Sequence, residues 1–162
     1  MSGNALARES PAAVVEELAR RFLAGDRDGA FALFDPQIRI QQPASLPHGG
    51  WYSGHAGAEQ MGVEFARYWS RTISDTRISG CGAGTGTGTA AGGSGDAGGS
   101  GESGDAGELV VQLTTQTWTA TSTGRSATVD VVELIRVRAG VIREIRVFQQ
   151  DTALLLATLD PA

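Results

Sequence analysis

The sequence contains no lysine and a single cysteine, and each shortage excludes a class of protein. All 13 basic residues are arginine, which we interpret as a composition bias of the genome. The 18 acidic residues outnumber them, and the net charge of −5 predicts no basic surface for nucleic acid. Because Cys81 has no second cysteine to pair with, the chain forms neither a disulfide framework nor a thiolate metal cluster.

Long apolar runs and a leader segment are also missing. No apolar stretch approaches the ~18–20 residues that span a bilayer, so we predict no membrane partner. The first ten residues lack the basic start and the apolar core of a secretory signal. We therefore expect a cytoplasmic protein. Residues 1–162 are long enough, and at 41% hydrophobic apolar enough, to form one domain with its own core.

One stretch has too few apolar residues to join that core. From Gly80 to Gly107, 13 of the 28 residues are glycine, and most of the others are alanine, serine or threonine. Such a segment buries too little apolar surface to offset the entropy lost on ordering it. We predict a flexible loop inserted between two strands. Its Gly-x-Gly repeats lack the strand–loop–helix context of a phosphate-binding site.

Elsewhere the chain predicts helices first and long strands last. Ser10-Pro11 is a typical helix start, Gly25 ends that helix, and Asp26 caps a second one. Asp151 caps a last helix in the same way. The predicted helices cover 11–24, 28–34, 56–71 and 152–159, and the predicted strands cover 37–41, 73–78, 109–120, 126–138 and 141–149, with a loop at 42–54.

The last two strands form a predicted hairpin, and its turn decides which side chains share a face. A two-residue loop at Ala139-Gly140 places Val137 opposite Ile142 and Glu133 opposite Arg146. By the same register, Ile135 lies opposite Glu144 and Val131 opposite Phe148. Both faces of the hairpin carry apolar residues, so both need cover. We expect helices on one face and another subunit on the other.

The order of elements, with helices before a run of antiparallel strands, is an α+β layout. Three stretches resemble the nuclear transport factor 2-like superfamily: FLAGDRDGAFALF at 22–34, YSGHAG at 52–57, and the last strand with Asp151-Thr152, which is similar to SnoaL-like members. The resemblance implies a cone-shaped α+β barrel, in which a curved antiparallel sheet wraps around the N-terminal helices. It also implies an interior pocket and a homodimer formed through the outer sheet face.

That superfamily includes ketosteroid isomerases, polyketide cyclases and proteins without catalytic activity, so the resemblance leaves function open. In the isomerase pattern, the position of the carboxylate base falls on Gln42 and that of the tyrosine falls on Leu18. A carboxamide does not take up a proton at neutral pH, and leucine donates no hydrogen bond. The third position falls on Glu133. With two of three groups missing, we do not expect steroid isomerisation.

Glu133 remains the candidate for acid–base chemistry. It lies among valine and isoleucine side chains on the predicted concave face, where burial raises the pKa of a carboxyl group. Three interpretations stay open: a catalytic acid or base, a ligand-binding group, and a structural ion pair with Arg146. Asp130, on the same strand, has the opposite parity and is predicted to point outward.

Polar and aromatic residues around the expected pocket form a predicted ligand site. If the turn near Thr123-Gly124 has two or four residues, the alternate residues Gln112 to Trp118 share the face of Glu133; a three-residue turn reverses them. There they fit a hydrated pocket, and the alternative is a polar dimer interface. The predicted ligand-binding residues are Gln42, His48, Trp51, Tyr52, Trp69, Thr114, Gln116, Trp118, Arg146 and Phe148. Trp69 also fits an ordinary core position.

His48 and His55 lie in a loop without a helix to align them, so we predict no metal site and no cofactor. Two function classes stay open. The first is an enzyme that isomerises, cyclises or hydrolyses a hydrophobic small molecule through Glu133. The second is a non-catalytic ligand-binding or dimerisation domain. They differ in whether Glu133 faces a ligand-sized cavity without a closed ion pair.

Overall fold

The computed structural model of this chain describes residues 10–81 and 107–161. Most of the predicted loop Gly80–Gly107 lies outside the described residues. Within them the chain forms four helices and six strands. In chain order these are α1 (Pro11–Leu23), α2 (Arg27–Phe31), β1 (Phe34–Gln42), β2 (Gly50–Ser53), α3 (Gly54–Tyr68), β3 (Trp69–Cys81), β4 (Glu108–Ala120), β5 (Ser126–Arg138), β6 (Val141–Gln149) and α4 (Thr152–Ala157). None of these helices is long and apolar enough to cross a membrane.

Side-chain caps begin three of the helices where the sequence predicts. Ser10 Oγ accepts a hydrogen bond from the Ala13 amide, and the carboxylates of Asp26 and Asp151 cap α2 and α4 in the same way. Gly25 has a φ of 75°, a left-handed conformation that follows the end of α1. The local signals for the helix starts are therefore confirmed.

Pairing within the sheet changes three of the predicted elements. Helix α2 ends at Phe31 and not at Phe34, because Phe34 already pairs with Ile142 of β6. The predicted loop at 42–54 contains β2, which pairs with β1. Helix α3 ends at Tyr68 and not at residue 71, because residues 69–71 pair with β4 as the start of β3. In each case hydrogen bonding between strands overrides the local pattern.

All six strands form one curved sheet in the order β2-β1-β6-β5-β4-β3. Neighbouring strands are antiparallel except β1 and β6, which are parallel, so the sheet is mixed. Helix α1 contacts β3, β4 and β5, and α3 contacts β1, β2 and β3. Both helices thus cover the same, concave face, and the core lies between them and the sheet.

Strand β4 shows which side chains the concave face buries. Every second residue from Val110 to Ala120 is buried, and their partners on β5 include Val129, Val131 and Ile135. The turn between the two strands has four residues, since the Ala120 amide donates to the Arg125 carbonyl. The predicted common face of Gln112 to Trp118 and Glu133 is therefore confirmed.

The β5–β6 hairpin has the predicted loop. Arg138 pairs with Val141, and Val137 pairs with Ile142. Ala139 and Gly140 have positive φ angles of 49° and 78°, which is typical of a two-residue type I′ turn. Up to this point the sequence-based register is correct.

Beyond the loop the predicted register is wrong, because Arg143 forms a β-bulge. Arg136 pairs with Glu144 although its neighbour Val137 pairs with Ile142, so one extra residue stands on β6. A shift of one residue moves every following side chain to the opposite face. Glu133 consequently pairs with Val147, and the predicted pair of Glu133 and Arg146 does not form.

Among the described residues, Ala139 is the one non-glycine residue with a positive φ. Holding an alanine in this conformation costs about 1 kcal/mol, whereas asparagine followed by glycine is the preferred type I′ sequence. We expect Ala139→Asn to raise the free energy of unfolding by about 0.5–1 kcal/mol in urea denaturation. The matched control is Ala32→Asn, at an exposed helix cap with negative φ. Equal effects of both substitutions would contradict the turn assignment.

Candidate functional site

A cavity of about 60 Å³ lies between α3 and the concave face of the sheet. Helix α3 contributes Met61, Gly62 and Phe65 to its wall, and the loop after β1 contributes His48. The strands contribute Gln42, Arg71, Gln116, Trp118, Val131, Val147 and Gln149. One water molecule needs roughly 10–15 Å³ of such space, so the cavity has room for a few water molecules. Pockets for drug-sized ligands measure roughly 300–1,000 Å³.

Four of the predicted ligand-binding residues line this cavity: Gln42, His48, Gln116 and Trp118. Three others are engaged in nearby hydrogen bonds. Tyr52 donates its hydroxyl to the His48 carbonyl, and Trp69 donates its indole N–H to Thr158 Oγ1. Thr114 accepts a hydrogen bond from the Gln116 amide. These three side chains position the wall without forming part of it.

The remaining three predicted residues, Trp51, Arg146 and Phe148, lie on the convex face of the sheet. Trp51 is 42% exposed and Phe148 is 50% exposed. The guanidinium of Arg146 lies 5.5 Å from the centre of the Trp51 ring, and its Nε lies 2.8 Å from Glu144 Oε1. The β-bulge is the reason that Arg146 and Phe148 face away from Glu133. The cavity therefore does not include these three residues.

His48 is buried in an aromatic cluster. The side chain is 2% exposed, and its ring centre lies 5.4 Å from Phe65, 5.7 Å from Trp69 and 5.9 Å from Trp118. Burial, together with the positive charge of Arg71, lowers the pKa of His48 to about 4. The imidazole is therefore neutral at pH 7. Its buried Nδ1 has no hydrogen-bond partner among the described residues.

A row of polar groups runs along β4 on the cavity side. Trp118 donates its indole N–H to Gln116 Oε1, and Gln116 Nε2 in turn donates to Thr114 Oγ1, each over 2.8 Å. Both ends of the Gln116 amide thus have protein partners. Gln116 and Trp118 hold each other in place, and this pairing removes the cost of burying the amide.

Glu133 lies next to the cavity and is half-buried. Its cross-strand partner Val147 and its near neighbour Val131 both line the cavity wall. The carboxylate accepts a hydrogen bond of 2.7 Å from Gln112 Nε2 and forms no ion pair within the described part of the chain. Burial raises the pKa of Glu133, although the charge of Arg71 and the bond from Gln112 oppose the rise.

Two polar residues of the wall were missed by the sequence-based prediction. Arg71 was placed in the third helix, but it lies near the start of β3, and its pairing with Trp118 turns it to the concave face. Its guanidinium lies 5.3 Å from the centre of the Phe65 ring. The alternation of Trp69, Arg71 and Ile73 was a signal for this strand. Gln149 was missed because the bulge reverses its direction.

Among the side chains that the structure describes, no group of three or more histidine, cysteine, aspartate or glutamate residues is arranged to hold a metal ion. The polar groups of the cavity are instead amides, one imidazole and one guanidinium. Such a set can donate and accept hydrogen bonds and can pair with an anion.

No protein-family model and no curated protein matches this chain. Among solved structures it is similar to an NTF2-like protein from Burkholderia thailandensis E264 at 19% identity, over 94% of this chain and 99% of that one, with a TM-score of 0.69. A proposed polyketide cyclase from Pseudomonas putida KT2440 has 11% identity over 94% and 99% of the two chains and a TM-score of 0.67.

A third similar structure is TerC, crystallised with polyporic acid. It has 18% identity with this chain, over 94% of this chain and 100% of TerC, and a TM-score of 0.67. At these identities the similarity establishes the fold. The predicted cone-shaped α+β barrel of the nuclear transport factor 2-like type is thus confirmed.

The low pKa of His48 predicts how stability depends on pH. Because the folded state favours the neutral ring, the unfolded chain takes up this proton first as the pH falls below 6.5. The free energy of unfolding should therefore decrease between pH 6.5 and about 4, by up to about 3 kcal/mol at 1.36 kcal/mol per pKa unit. Above pH 6.5 this contribution is constant.

We expect His48→Phe to remove most of that acid-side slope in urea denaturation curves measured across this pH range. The control is His55→Phe, which changes an exposed histidine and leaves the slope in place. If both variants keep the wild-type slope, His48 is not the group responsible.

Proposed function

We propose that this protein binds a small hydrophobic molecule on the concave face of its sheet and exchanges a proton with it through Glu133. The observation that supports this proposal is the state of the Glu133 carboxyl group. It is half-buried beside a cavity, it has Gln112 as its hydrogen-bond donor, and no described residue forms an ion pair with it. Perturbed carboxyl groups in such clefts are frequent at catalytic sites.

The pKa of Glu133 suits it to general acid–base catalysis. Burial raises that pKa above its ordinary value, although the charge of Arg71 and the hydrogen bond from Gln112 oppose the rise, and an upward shift is the direction in which enzymes tune catalytic carboxyl groups. Gln112 serves both protonation states. Its Nε2 donates to the ionised carboxylate, and its buried Oε1, which has no partner among the described residues, can accept from the protonated acid if the amide rotates. Isomerisation, cyclisation and hydrolysis all need such a group.

A hydrophobic molecule larger than the cavity needs side chains to move, and Met61 is suited to that. Its thioether contacts Gln42 Nε2 at 3.3 Å, which is a weak hydrogen bond. Methionine has a long, unbranched side chain that repacks at low cost. The similar structures, a proposed polyketide cyclase and TerC crystallised with polyporic acid, further support a small organic molecule as ligand.

A non-catalytic binding or dimerisation domain is the second candidate, and two observations favour it. Gln42 lines the cavity at the position where a carboxylate base is expected, and a carboxamide does not act as a base. On the convex face, Trp51 and Phe148 are large apolar side chains with high exposure. We propose that a second copy of the chain covers this face as a homodimer, because large rings gain most from such burial.

Native mass spectrometry of the purified protein separates the two candidates. For an enzyme, Glu133→Gln should retain an unconverted compound that differs from any molecule bound to the wild type in mass or, where the reaction conserves mass as an isomerisation does, in chromatographic retention after release. The matched control is Asp130→Asn, which changes a carboxylate on the convex side of the same strand. The same bound compound in wild type and Glu133→Gln would indicate binding alone. No bound compound in either would contradict the proposed function.

The raised pKa of Glu133 also predicts a gain in stability on substitution. The folded state favours the protonated acid, so this contribution is present below pH 4.5 and is lost as the pH rises through the folded pKa. Glu133→Gln should raise the free energy of unfolding at pH 8 by about 1–3 kcal/mol, the usual cost of a poorly compensated buried charge. Denaturation at pH 8 and pH 4 measures this, and the difference from wild type should be smaller at pH 4.

A further inference from the structure

Two hydrogen-bonding atoms in the cavity wall have no partner in the described protein. They are Nδ1 of His48 and Oε1 of Gln149, and both are buried. A buried polar atom without a partner costs about 1–3 kcal/mol, so such atoms usually have an additional partner. Gln116 bonds to Thr114 and Trp118, and Gln42 Nε2 makes a weak hydrogen bond to Met61 Sδ. Within the described residues, His48 and Gln149 thus have the buried wall atoms that lack a partner and can recognise a polar group.

A hydroxyl group satisfies both atoms. The amide oxygen of Gln149 accepts, and a hydroxyl donates to it. The neutral His48 ring carries one proton, and in the Nδ1–H tautomer it donates to the oxygen of the hydroxyl whose own proton goes to Gln149. A carboxylate matches less well, because it only accepts and would face the Gln149 oxygen without a proton between them.

The cavity wall carries one charged side chain, Arg71. The side chain is exposed, so it lies at the mouth of the cavity, and its guanidinium covers the Phe65 ring. No carboxylate among residues 10–81 and 107–161 forms an ion pair with Arg71. Guanidinium groups bind carboxylates strongly and with two parallel hydrogen bonds. An anionic group of a ligand thus has a partner at the mouth.

We propose that the cavity takes the hydroxyl-bearing end of a small organic acid, whose anionic group binds Arg71 at the mouth. The volume of about 60 Å³ is below the roughly 150 Å³ that encloses a benzene ring, so only one end of the ligand enters. The wall also contributes apolar side chains, among them Phe65, Val131 and Val147. This inference rests on the ligand binding proposed above and names the class of ligand.

The test compares matched probes by isothermal titration calorimetry. The hydroxy acid is 3-hydroxybutyrate, and its counterpart without the hydroxyl is butyrate. We expect 3-hydroxybutyrate to bind about tenfold more tightly than butyrate, because each hydrogen bond to a buried acceptor contributes about one factor of ten. Equal affinity of the two acids, or no saturation by 3-hydroxybutyrate at millimolar concentration, overturns the proposal.

Substitutions test which wall residue binds each end of the ligand. Arg71→Gln should weaken binding of the hydroxy acid tenfold or more, whereas Arg77→Gln, which changes an exposed arginine of β3 paired with Asp75, should leave it unchanged. Gln149→Met keeps the side-chain length, removes the acceptor, and should weaken the hydroxy acid but not its counterpart. Equal losses in Arg71→Gln and Arg77→Gln would show nonspecific attraction and contradict the proposal.

Nitrogen-15 spectra of the His48 ring provide a readout that a bound water does not imitate. The hydroxy acid should shift the ring resonances, and binding without such a shift would mean that the cavity holds water only. Repeating the titrations with Glu133→Gln tests the proposed ligand class independently of the proposed proton transfer. Selective binding that persists in Glu133→Gln supports the inference even if no conversion is found. A converted ligand together with unselective titrations would leave the proposed function in place and refute the inference.

Discussion

One extra residue in β6 decides the arrangement of the site. The β-bulge at Arg143 shifts the register between β5 and β6, so Val147 and Gln149 face the cavity and Arg146 does not. The bulge itself is anchored, because Arg143 pairs with Asp35 of β1 at 3.3 Å. Bulges often redirect side chains beside functional sites. Without it, Arg146 would neutralise Glu133, and the buried carboxyl would be an ordinary structural ion pair.

The concave interior contains groups that do not favour stability. The Glu133 carboxyl is half-buried with one hydrogen bond from Gln112, and His48 is buried with an Nδ1 that has no partner in the described part of the chain. A core optimised only for stability would hold apolar side chains at these positions. Proteins often keep such destabilising groups where ligand binding or catalysis requires them. Burial is the main cause of both pKa shifts; the charge of Arg71 adds to the lowering at His48 and opposes the rise at Glu133.

The same register separates two chemically distinct faces. The concave face combines aromatic and amide side chains around a small cavity, while the convex face carries the Arg146–Glu144 pair and the exposed rings of Trp51 and Phe148. The sequence-based ligand set mixed the two faces, because it assumed an unbroken alternation along β6. One signal of the break was present: Ile142 and Ile145 are three residues apart, whereas a regular strand repeats every two.

Local sequence determined the caps at Ser10, Asp26 and Asp151, the two-residue turn at Ala139-Gly140, and the alternation of β4, because each depends on neighbours a few residues away. The order of these elements was also enough to identify the fold. Tertiary structure decided the register of β6, the strand that contains Arg71, and hence the composition of the cavity. Either register of β6 buries some apolar side chains. The observed register buries Ile145 and Val147 against the helices and the rest of the sheet. Full burial of one such side chain stabilises the fold by about 1.5–3 kcal/mol. That packing energy arises from residues distant in sequence, so no local pattern contains it.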